Sequence, residues 1–429
     1  MSPQLLTIAS LLFAIQLFAP KKWAFIPILI AACHTSNVPV FSDFTPIRIV
    51  IFAGLLRASF SHSLSFSLRN HYDRTIALFC FFIVLSSFGH DPQWGNPYMF
   101  RLGFVLNIFG TYLYFKSFVK TIDDWKNLQV ALVYILIPLA LMMLYEFITR
   151  TNPYRLLGAR QAIAWIREGQ VRAQGPFGGP ILAGTAGAVS LPLLVPLYKR
   201  RKRLAIYGIA ASLSIVVFSS SSGPIGTVII GLGSLYLWKH RTKLRSIVYS
   251  TIALLFVLDL IKERPIWYLI ALIDFVGGST GWHRSALIDA GINHFGEWWF
   301  MGTDMTRHWM PYGLPSIPNH TDLTNYFLHI GVIAGVVPVI LLSAAIFKSL
   351  KFLARQSIVS DDAETKFILW SIWCAIFSQT ITFLTISYYD QMFVFFYVLI
   401  AFTSNLFLSQ PVPNSVSQLE ESAPIPNAT

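Results

Sequence analysis

Apolar segments alternate with short polar connections along almost the whole chain. Most are as long as a bilayer crossing or slightly shorter, which predicts helices that cross a membrane repeatedly. They fall near residues 5–19, 23–33, 47–57, 75–89, 102–118, 129–148, 180–198, 204–219, 223–238, 246–261, 326–347, 367–386 and 391–408. The second and third are short enough to be half-helices or a re-entrant pair. The pattern predicts an all-α polytopic membrane protein with about 12 to 13 transmembrane helices.

Composition agrees with this prediction. Of the 429 residues, 55% are hydrophobic and only 12% are charged, which excludes an ordinary soluble domain. The N-terminal run from Leu5 to Phe18 lacks a basic leader and a small-residue cleavage site, so we expect a retained helix. The cysteines, Cys33, Cys80 and Cys374, lie in apolar runs without disulfide or metal-ligand spacing, and we assign them no role.

The basic residues indicate how the chain is oriented. The net charge is +12, but basic residues beside membrane segments set topology more often than they bind nucleic acid. If the run KRRKR at 199–203 is cytoplasmic, alternation places about 21 of the 32 lysines and arginines inside and about 11 outside. Nine of these outer residues lie in two long loops, 149–179 and 262–325. Because positive charge is disfavoured outside, these loops are predicted to bind an anion.

This topology divides the chain into four parts. Residues 1–261 form an N-terminal transmembrane bundle that includes the loop at 149–179, and 262–325 form a large external loop with an amphipathic helix. Residues 326–408 form C-terminal transmembrane helices, and 409–429 are predicted to be a disordered cytoplasmic tail.

The first external stretch that could take part in binding or catalysis is REGQVRAQGPFGGPILAG, at 167–184. Arg172 precedes a Gly/Pro-rich turn that leads directly into an apolar segment, so its guanidinium is expected near a helix N-terminus at the membrane surface. That position suits a phosphate. The alternative is an interfacial arginine that extends to lipid headgroups.

The second stretch follows a Gly-rich turn at 277–280. Helical spacing there predicts an amphipathic helix along the outer surface, with these positions on one face: Arg284, Leu287, Ile288, Gly291, Ile292 and Phe295. Trp298, Trp299 and Phe300 would anchor it at the interface. A purely structural cap over the bundle would have the same pattern.

The third stretch, IPNHTDLTNYFLHIGVIAGVV from Ile317, opens an apolar segment with polar residues. His320 lies just outside the segment, where an imidazole with a pKa of about 6.5 can accept a proton. Asp322 could orient it, or could cap the helix together with Asn319 and Thr321. His329, about two turns deeper, could equally be a structural residue.

Two further patterns concern packing and metals. Gly223, Thr227 and Gly231 are four residues apart, which predicts close packing of helices. The acidic pairs, Asp123/Asp124 and Asp361/Asp362, fall on the inner side, so no acidic metal site is predicted beside the external arginines. We predict no metal and no cofactor.

The motifs of the three external stretches occur in an order that matches the motifs of a known family. Arg172, Gly175 and Phe177 fit an Arg-x-x-Gly-x-Phe element before a span, Arg284 fits an arginine that opens the large loop, and His320, Tyr326, Gly331 and Gly335 follow the pattern at its end. In these motifs the chain resembles the bacterial O-antigen ligase and O-antigen polymerase superfamily. That family often has an arginine after an external serine run, whereas the serines from Ser219 are followed by Gly223 here. It also commonly has Asn at the position of Thr321 and an acidic residue at the position of His329.

The resemblance implies an inverting glycosyltransferase of GT-C-related architecture in the bacterial inner membrane, with its active site on the periplasmic face. The donor would be an undecaprenyl-diphosphate-linked oligosaccharide, and the acceptor a lipid A-core or a second lipid-linked glycan. Arg172 and Arg284 would bind the diphosphate and His320 would act as general base. The expected substrate-binding residues are Arg172, Arg284, Gly175, Phe177, Asp322 and Tyr326.

Several alternatives stay open from the sequence. A ligase and a polymerase use the same donor, and these motifs do not separate them. A transporter or flippase for a lipid-linked sugar or an anion would place charge near the middle of its helices, often in repeated halves, whereas here polar residues collect in the two external loops. A non-catalytic assembly scaffold would not need Arg172, Arg284 and His320 to converge.

Overall fold

Helices account for 73% of the computed structural model, which describes residues 3–272, 275–276, 280–314 and 317–409. The helices are α1 (Pro3–Phe18), α2 (Ile26–His34), α3 (Pro46–Phe60), α4 (His71–Leu85), α5 (Pro97–Val105), α6 (Thr111–Phe118), α7 (Ile122–Thr149), α8 (Pro180–Leu194), α9 (Leu197–Arg200), α10 (Lys202–Phe218), α11 (Ser222–Tyr236), α12 (Leu244–Ile261), α13 (Gly281–Asn293), α14 (Phe295–Trp298), α15 (Tyr326–Ala334), α16 (Val336–Val359), α17 (Ala363–Thr382) and α18 (Met392–Leu408). Nearly all of the predicted C-terminal tail, 410–429, and the glycines at 277–278 lie outside the described residues.

The helices agree with a protein that resides in a membrane. Each predicted apolar segment overlaps at least one helix, so the all-α prediction is confirmed. Four helical stretches are long and apolar enough to cross a bilayer by length and composition, and they are His71–Gly89, Ile122–Thr149, Ser222–Ile261 and Val336–Val359. Three shorter apolar helices, Pro3–Phe18, Pro180–Leu194 and Met392–Leu408, accompany them. The larger number of crossings stays a prediction.

Two predicted segments are interrupted. The segment at 102–118 contains a π-helical turn, Leu106–Gly110, between α5 and α6. The segment at 326–347 breaks at Gly335, whose φ is +85°, and α16 then continues to Val359. A Cβ at Gly335 would lie 2.2 Å from the carbonyl oxygen of Phe300, so glycine is required where the external loop packs against the break. The apolar pattern continues through this break and therefore does not reveal it.

α8 and α18 form the centre of the bundle. Almost every residue of both helices is buried, and α8 contacts α10, α11 and α17. A Cβ at Gly187 of α8 would lie 2.7 Å from the backbone oxygen of Ser212, so the α8 and α10 backbones approach closely. The predicted packing of α11 is also found, because the Thr227 hydroxyl lies 2.8 Å from that of Thr382 in α17. By contrast, α12 has no buried residue and lies at the periphery.

Both long loops contain short antiparallel hairpins that the sequence analysis did not predict. In the first loop, β1 (Trp165–Arg167) pairs with β2 (Gln170–Arg172). In the second, β3 (Gly313–Leu314) pairs with β4 (Ile317–Thr321). Strands of two to five residues are too short to show a clear alternation of apolar and polar positions.

The helix ends that the charge pattern places outside meet on one side of the bundle. The N–H of Ala173, just after β2, donates to the Phe218 carbonyl at the end of α10 (2.9 Å). The N–H of Tyr326 at the start of α15 donates to the Phe383 carbonyl just beyond α17 (2.7 Å). The two long loops are therefore fixed against the same set of helix ends.

A buried ion pair lies among α4, α6 and α18. Lys116 Nζ contacts both carboxylate oxygens of Asp73, at 2.6 and 2.7 Å, and both side chains are fully buried. The Tyr112 hydroxyl donates to Asp73 at 2.5 Å and also contacts Ser404 of α18. The helices thus contain more charge than the sequence analysis expected, although the pair is neutral overall and its carboxylate is well hydrogen-bonded.

Replacing only the cation of this pair is expected to destabilise the protein. Lys116→Met leaves the Asp73 carboxylate buried without its counter-ion and should lower the free energy of unfolding by about 3–5 kcal/mol. Thermal denaturation in detergent with a thiol-reactive fluorophore measures this, because all three cysteines are buried. Lys351→Met, at an exposed position of α16, is the matched control. Equal melting temperatures for the two variants would contradict the prediction.

Candidate active site

Three arginines from the two long loops line one cleft. Arg167 and Arg172 come from the first hairpin and Arg284 from the first turn of α13. The rest of the cleft is lined by Ile181, Ser220, Ser221, Ser222, Gly223, Val276 and Thr280. We call this the arginine cleft. The structure therefore brings together Arg172 and Arg284, which the sequence analysis selected separately, and adds Arg167.

Within the described part of the chain, the arginines of the cleft have no ion-pair partner. Among the described residues, no carboxylate lies within salt-bridge distance of Arg172 or Arg284. The Nε atoms of both are buried without a hydrogen-bond partner, and Arg284 is only 7% exposed. Buried charges in proteins are normally paired, so this arrangement indicates a site for an anionic ligand.

The pKa values of Arg172 and Arg284 are both lowered, mainly by burial and also by neighbouring positive charge. Burial lowers the pKa of Arg172, and repulsion from Arg167 and Arg284 lowers it further. Burial also lowers the pKa of Arg284, against the opposing effect of Asp322. Guanidinium groups stay protonated in spite of such shifts. The shifts therefore indicate excess positive charge that an anion would relieve.

The local fold fixes the direction of each arginine. β1 and β2 pair Trp165 with Arg172, and the hairpin turn contains Gly169 with φ at +74°. Arg172 Nη2 donates to the Ser221 hydroxyl (2.7 Å), which in turn donates to the carbonyl of Ser219 (2.7 Å). The serine run therefore holds Arg172 in the cleft. Gly223, which follows these serines, also lines the cleft.

A second, more apolar space adjoins the arginine cleft and shares Ser222, Gly223 and Arg284 with it. It lies between α11, the end of α17 and the 3₁₀ segment Ile266–Leu272. Its other lining residues are Gly226, Thr227, Ile230, Ile270, Ile381, Thr382, Leu384 and Thr385. We call it the apolar groove. A ligand with an anionic head and an apolar tail would fit this combination.

Two carboxylates hold the turn between β2 and α8. Glu146 at the end of α7 accepts the N–H of Gly175 (2.8 Å), and Asp390 accepts that of Gly178 (2.6 Å). Burial raises the pKa of Asp390 to about 6. Gly175 has φ at +58°, a conformation that favours glycine. The amides of Gly175 and Gly178 are thus used internally.

Phe177 and Tyr326 are each 1% exposed and pack inside the bundle. Tyr326 contacts the ring of Phe383, just beyond α17, with centroids 4.7 Å apart. Neither these residues nor Gly175 is among those that line the arginine cleft. Their contact with a substrate stays a prediction, and in this structure they shape the turn and the start of α15.

Asp322 connects the third stretch to the arginine cleft. Its backbone oxygen lies 3.1 Å from His283 Nε2, one residue before Arg284. Partial desolvation raises the pKa of the Asp322 carboxyl, although His283 and Arg284 oppose this shift electrostatically. Asp322 is therefore close enough to influence Arg284, but it does not form an ion pair with it.

His320 lies on β4 and has a different set of neighbours. Its Nδ1 is 3.0 Å from the hydroxyl of the fully buried Thr306. Burial lowers the pKa of His320, with His90 lowering it further and Asp304 opposing. Asp304 in turn binds His90, whose Nδ1 lies 2.5 Å from its carboxylate. His320 is thus neutral near pH 7 and oriented by Thr306.

The alternative functions considered for the third stretch need correction. Asp322 has no hydrogen bond to His320, and neither it nor Asn319 caps a helix. The cap of α15 is Asn325, which accepts the N–H of Leu328 (3.0 Å). Asn319 donates instead to the Asp304 carbonyl, and Thr321 to that of Tyr312. The polar residues that open this segment build the hairpin and position His320.

Helix α13 forms where the amphipathic helix is predicted. Arg284, Leu287 and Gly291 are buried against the protein, whereas Ile292 is 54% exposed and Phe295, in α14, is 45% exposed. His320 is not among the residues that line the arginine cleft. The sequence analysis missed Arg167, Ser221 and Thr306 as contributors. Arg167 is one of the basic residues in the external loops and Ser221 belongs to the serine run, whereas Thr306 had no local signal.

Comparison of the chain with protein-family models gives no match, and comparison with curated proteins gives none either.

An inorganic diphosphate should stabilise the protein through the arginine cleft. Pyrophosphate is expected to raise the melting temperature of the wild type, because binding to the folded state alone stabilises it. Arg284→Gln removes one charged donor and should weaken pyrophosphate binding by about 10- to 100-fold. Microscale thermophoresis and thermal denaturation in detergent measure both effects.

The control for this experiment is Arg155→Gln, an exposed arginine of the first long loop. It has the same change in charge but lies outside the residues that line the cleft. If Arg155→Gln reduced binding as much as Arg284→Gln, attraction by the overall charge of the loops would explain the result, and the arginine cleft would not be the anion site.

Proposed function

We propose that the chain is a membrane glycosyltransferase of surface-polysaccharide assembly. It transfers a glycan from an undecaprenyl-diphosphate donor to an acceptor hydroxyl at the periplasmic face of the bacterial inner membrane. Its motifs resemble those of the O-antigen ligase and polymerase superfamily, whose GT-C-related architecture with 12 to 13 spans is part of the proposal.

One observation supports this function most strongly. Arg172 and Arg284 are held together without a carboxylate partner among the described residues, at the opening of the apolar groove. A polyprenyl diphosphate combines a doubly anionic head with a long apolar tail. Its head would occupy the arginine cleft and its first isoprene units the groove between α11 and α17.

The arginines would stabilise the leaving group. As the bond between the anomeric carbon and the phosphate oxygen breaks, negative charge develops on the diphosphate. Planar guanidinium groups donate parallel hydrogen bonds to such oxygens, and they act strongly in a partly dry site. Arg172 and Arg284 would serve this purpose without a metal at the phosphates, with Arg167 adding positive charge at the rim.

His320 would accept the proton of the acceptor hydroxyl as its oxygen attacks the anomeric carbon. This direct displacement inverts the configuration. For Nε2 to be the base, Nδ1 must carry the proton and donate to Thr306. The Thr306 oxygen can accept it, because the N–H of Thr321 occupies only one of its two lone pairs. Asp322, two residues beyond His320, approaches Arg284 and would mark where donor and acceptor meet.

The same geometry serves a ligase and a polymerase, since both break the same donor bond. They differ in the acceptor, which is a lipid A-core or another fixed acceptor in one case and a second lipid-linked glycan in the other. The transporter hypothesis requires charge along a path through the bundle. The Asp73–Lys116 pair is fully buried and lines neither the arginine cleft nor the apolar groove, so it does not support that hypothesis.

The test is a transfer assay with protein reconstituted in nanodiscs, an undecaprenyl-diphosphate oligosaccharide and both kinds of acceptor, without added divalent cations. A ladder of repeats indicates a polymerase, and one shifted acceptor band indicates a ligase. Arg172→Gln and Arg284→Gln should weaken donor binding and transfer together, whereas Arg155→Gln should leave both intact. Donor binding without transfer by the wild type would favour a transporter.

His320 and Thr306 are expected to affect the rate rather than donor binding. His320→Ala should lower the transfer rate by about 10²- to 10⁴-fold, as for loss of a general base. Thr306→Val should lower it by about tenfold, which corresponds to the loss of one orienting hydrogen bond. Single-turnover rates at saturating donor measure both. A weakened donor affinity with an unchanged rate would contradict these functions.

The pH profile gives an independent check on His320. A base with a lowered pKa stays neutral to lower pH, so the acid limb of the single-turnover rate should lie below pH ~6.5, the ordinary midpoint for histidine. His320→Ala should remove this limb from the residual activity. A limb above pH ~6.5, or one unchanged in His320→Ala, would exclude His320 as the titrating base.

A further inference from the structure

Two histidines and a glutamate meet at the far end of α13 from the arginine cleft. His294 follows α13, Glu297 lies in α14, and His308 lies in the 3₁₀ turn Arg307–Trp309. One ligand atom from each lies within 4.8 Å of the other two. Ten residues of helix separate Arg284 from His294, which is about 15 Å along the axis. None of the three residues lines the arginine cleft.

Hydrogen bonds orient the ligand atoms of this cluster. His294 Nδ1 lies 2.9 Å from the Ala290 carbonyl, which can only accept, so Nδ1 carries the proton and Nε2 keeps a free lone pair. Metal-binding histidines are commonly fixed in this way by the other ring nitrogen. Trp309 Nε1 donates to Glu297 Oε2 (2.9 Å) and orients the carboxylate. The His294 ring also stacks on Trp309, with centroids 5.4 Å apart.

We propose that His294, Glu297 and His308 bind a divalent transition-metal ion of the zinc type. Two imidazoles and one carboxylate are a known zinc ligand set, and water would complete the coordination sphere. The carboxylate balances part of the ionic charge, and the hydrogen bond from Trp309 Nε1 holds it in place. The sequence analysis predicted no metal, because it considered only acidic clusters near the arginines.

Binding requires the cluster to contract. In tetrahedral geometry two ligand atoms that each lie about 2.1 Å from zinc are about 3.4 Å apart, so atoms that now lie within 4.8 Å of one another must approach by up to about 1.4 Å. His308 and Glu297 have side chains that are 50% and 39% exposed, which leaves them free to rotate. His308 Nε2 now lies 3.1 Å from both carboxylate oxygens, and it would bind the ion after its proton is held on Nδ1.

The ion would join two parts of the large loop. One ligand pair follows the helix that contains Arg284, and the third ligand lies two residues after Thr306, the partner of His320. A bound metal would therefore fix the distance between these segments. This is a structural function, separate from the transfer chemistry, and binding can be measured whether or not the protein transfers a glycan.

The experiment uses full-length, chelator-treated protein in detergent, without a polyhistidine tag. Zinc is titrated against a chromophoric chelator, and bound metal is quantified after desalting. We expect one zinc ion per chain and at least about tenfold weaker binding in His294→Ala, Glu297→Gln and His308→Ala. Cobalt in place of zinc should give the visible absorption of a four-coordinate ion.

His240→Ala, at an exposed histidine beyond α11, is the control and should bind zinc like the wild type. Thermal denaturation of each variant without metal excludes misfolding, and exposed His308 is the safest position for this comparison. Less than one equivalent of zinc, or equal affinity in His308→Ala and His240→Ala, would overturn the proposal and indicate adventitious binding.

Discussion

The side of this protein that carries the two long loops is organised around positive charge that has no counter-charge within the described residues. Arg172 and Arg284 are drawn from loops more than a hundred positions apart and face one cleft, where they repel each other and Arg167. Such an arrangement is unfavourable in an empty protein and requires support from the surrounding fold. The β1–β2 hairpin, the serine run and the first turn of α13 provide this support, and each adds a neutral contact instead of a carboxylate.

The bundle beneath supplies the necessary rigidity. α8 begins directly after the turn that Glu146 and Asp390 hold, and it is buried along almost its whole length. It packs closely against α10 at Gly187, and the backbone hydrogen bond from Ala173 to Phe218 joins the end of the hairpin to the end of α10. Inside the bundle, by contrast, the buried charges of Asp73 and Lys116 form an ion pair.

Much of the fold could be predicted from apolar length and charge asymmetry, since helices such as α7 and α18 are continuous apolar runs. The same asymmetry selected Arg172 and Arg284, because surplus positive charge on the external side stands out in sequence. Three features depend on tertiary contacts and have no local pattern. They are the short hairpins, the break at Gly335 inside an apolar run, and the contact between Thr306 and His320, 14 positions apart. Thr306 in particular can be identified as the partner of His320 only from the fold.

In the proposed complex, the arginine cleft binds a diphosphate whose apolar tail lies in the adjoining groove. A cryo-electron microscopy structure of the protein in nanodiscs with undecaprenyl diphosphate tests this directly. We predict phosphate density within hydrogen-bonding distance of Arg172 and Arg284, and tail density between α11 and α17. Diphosphate density at another site, with both guanidinium groups unoccupied, would contradict it.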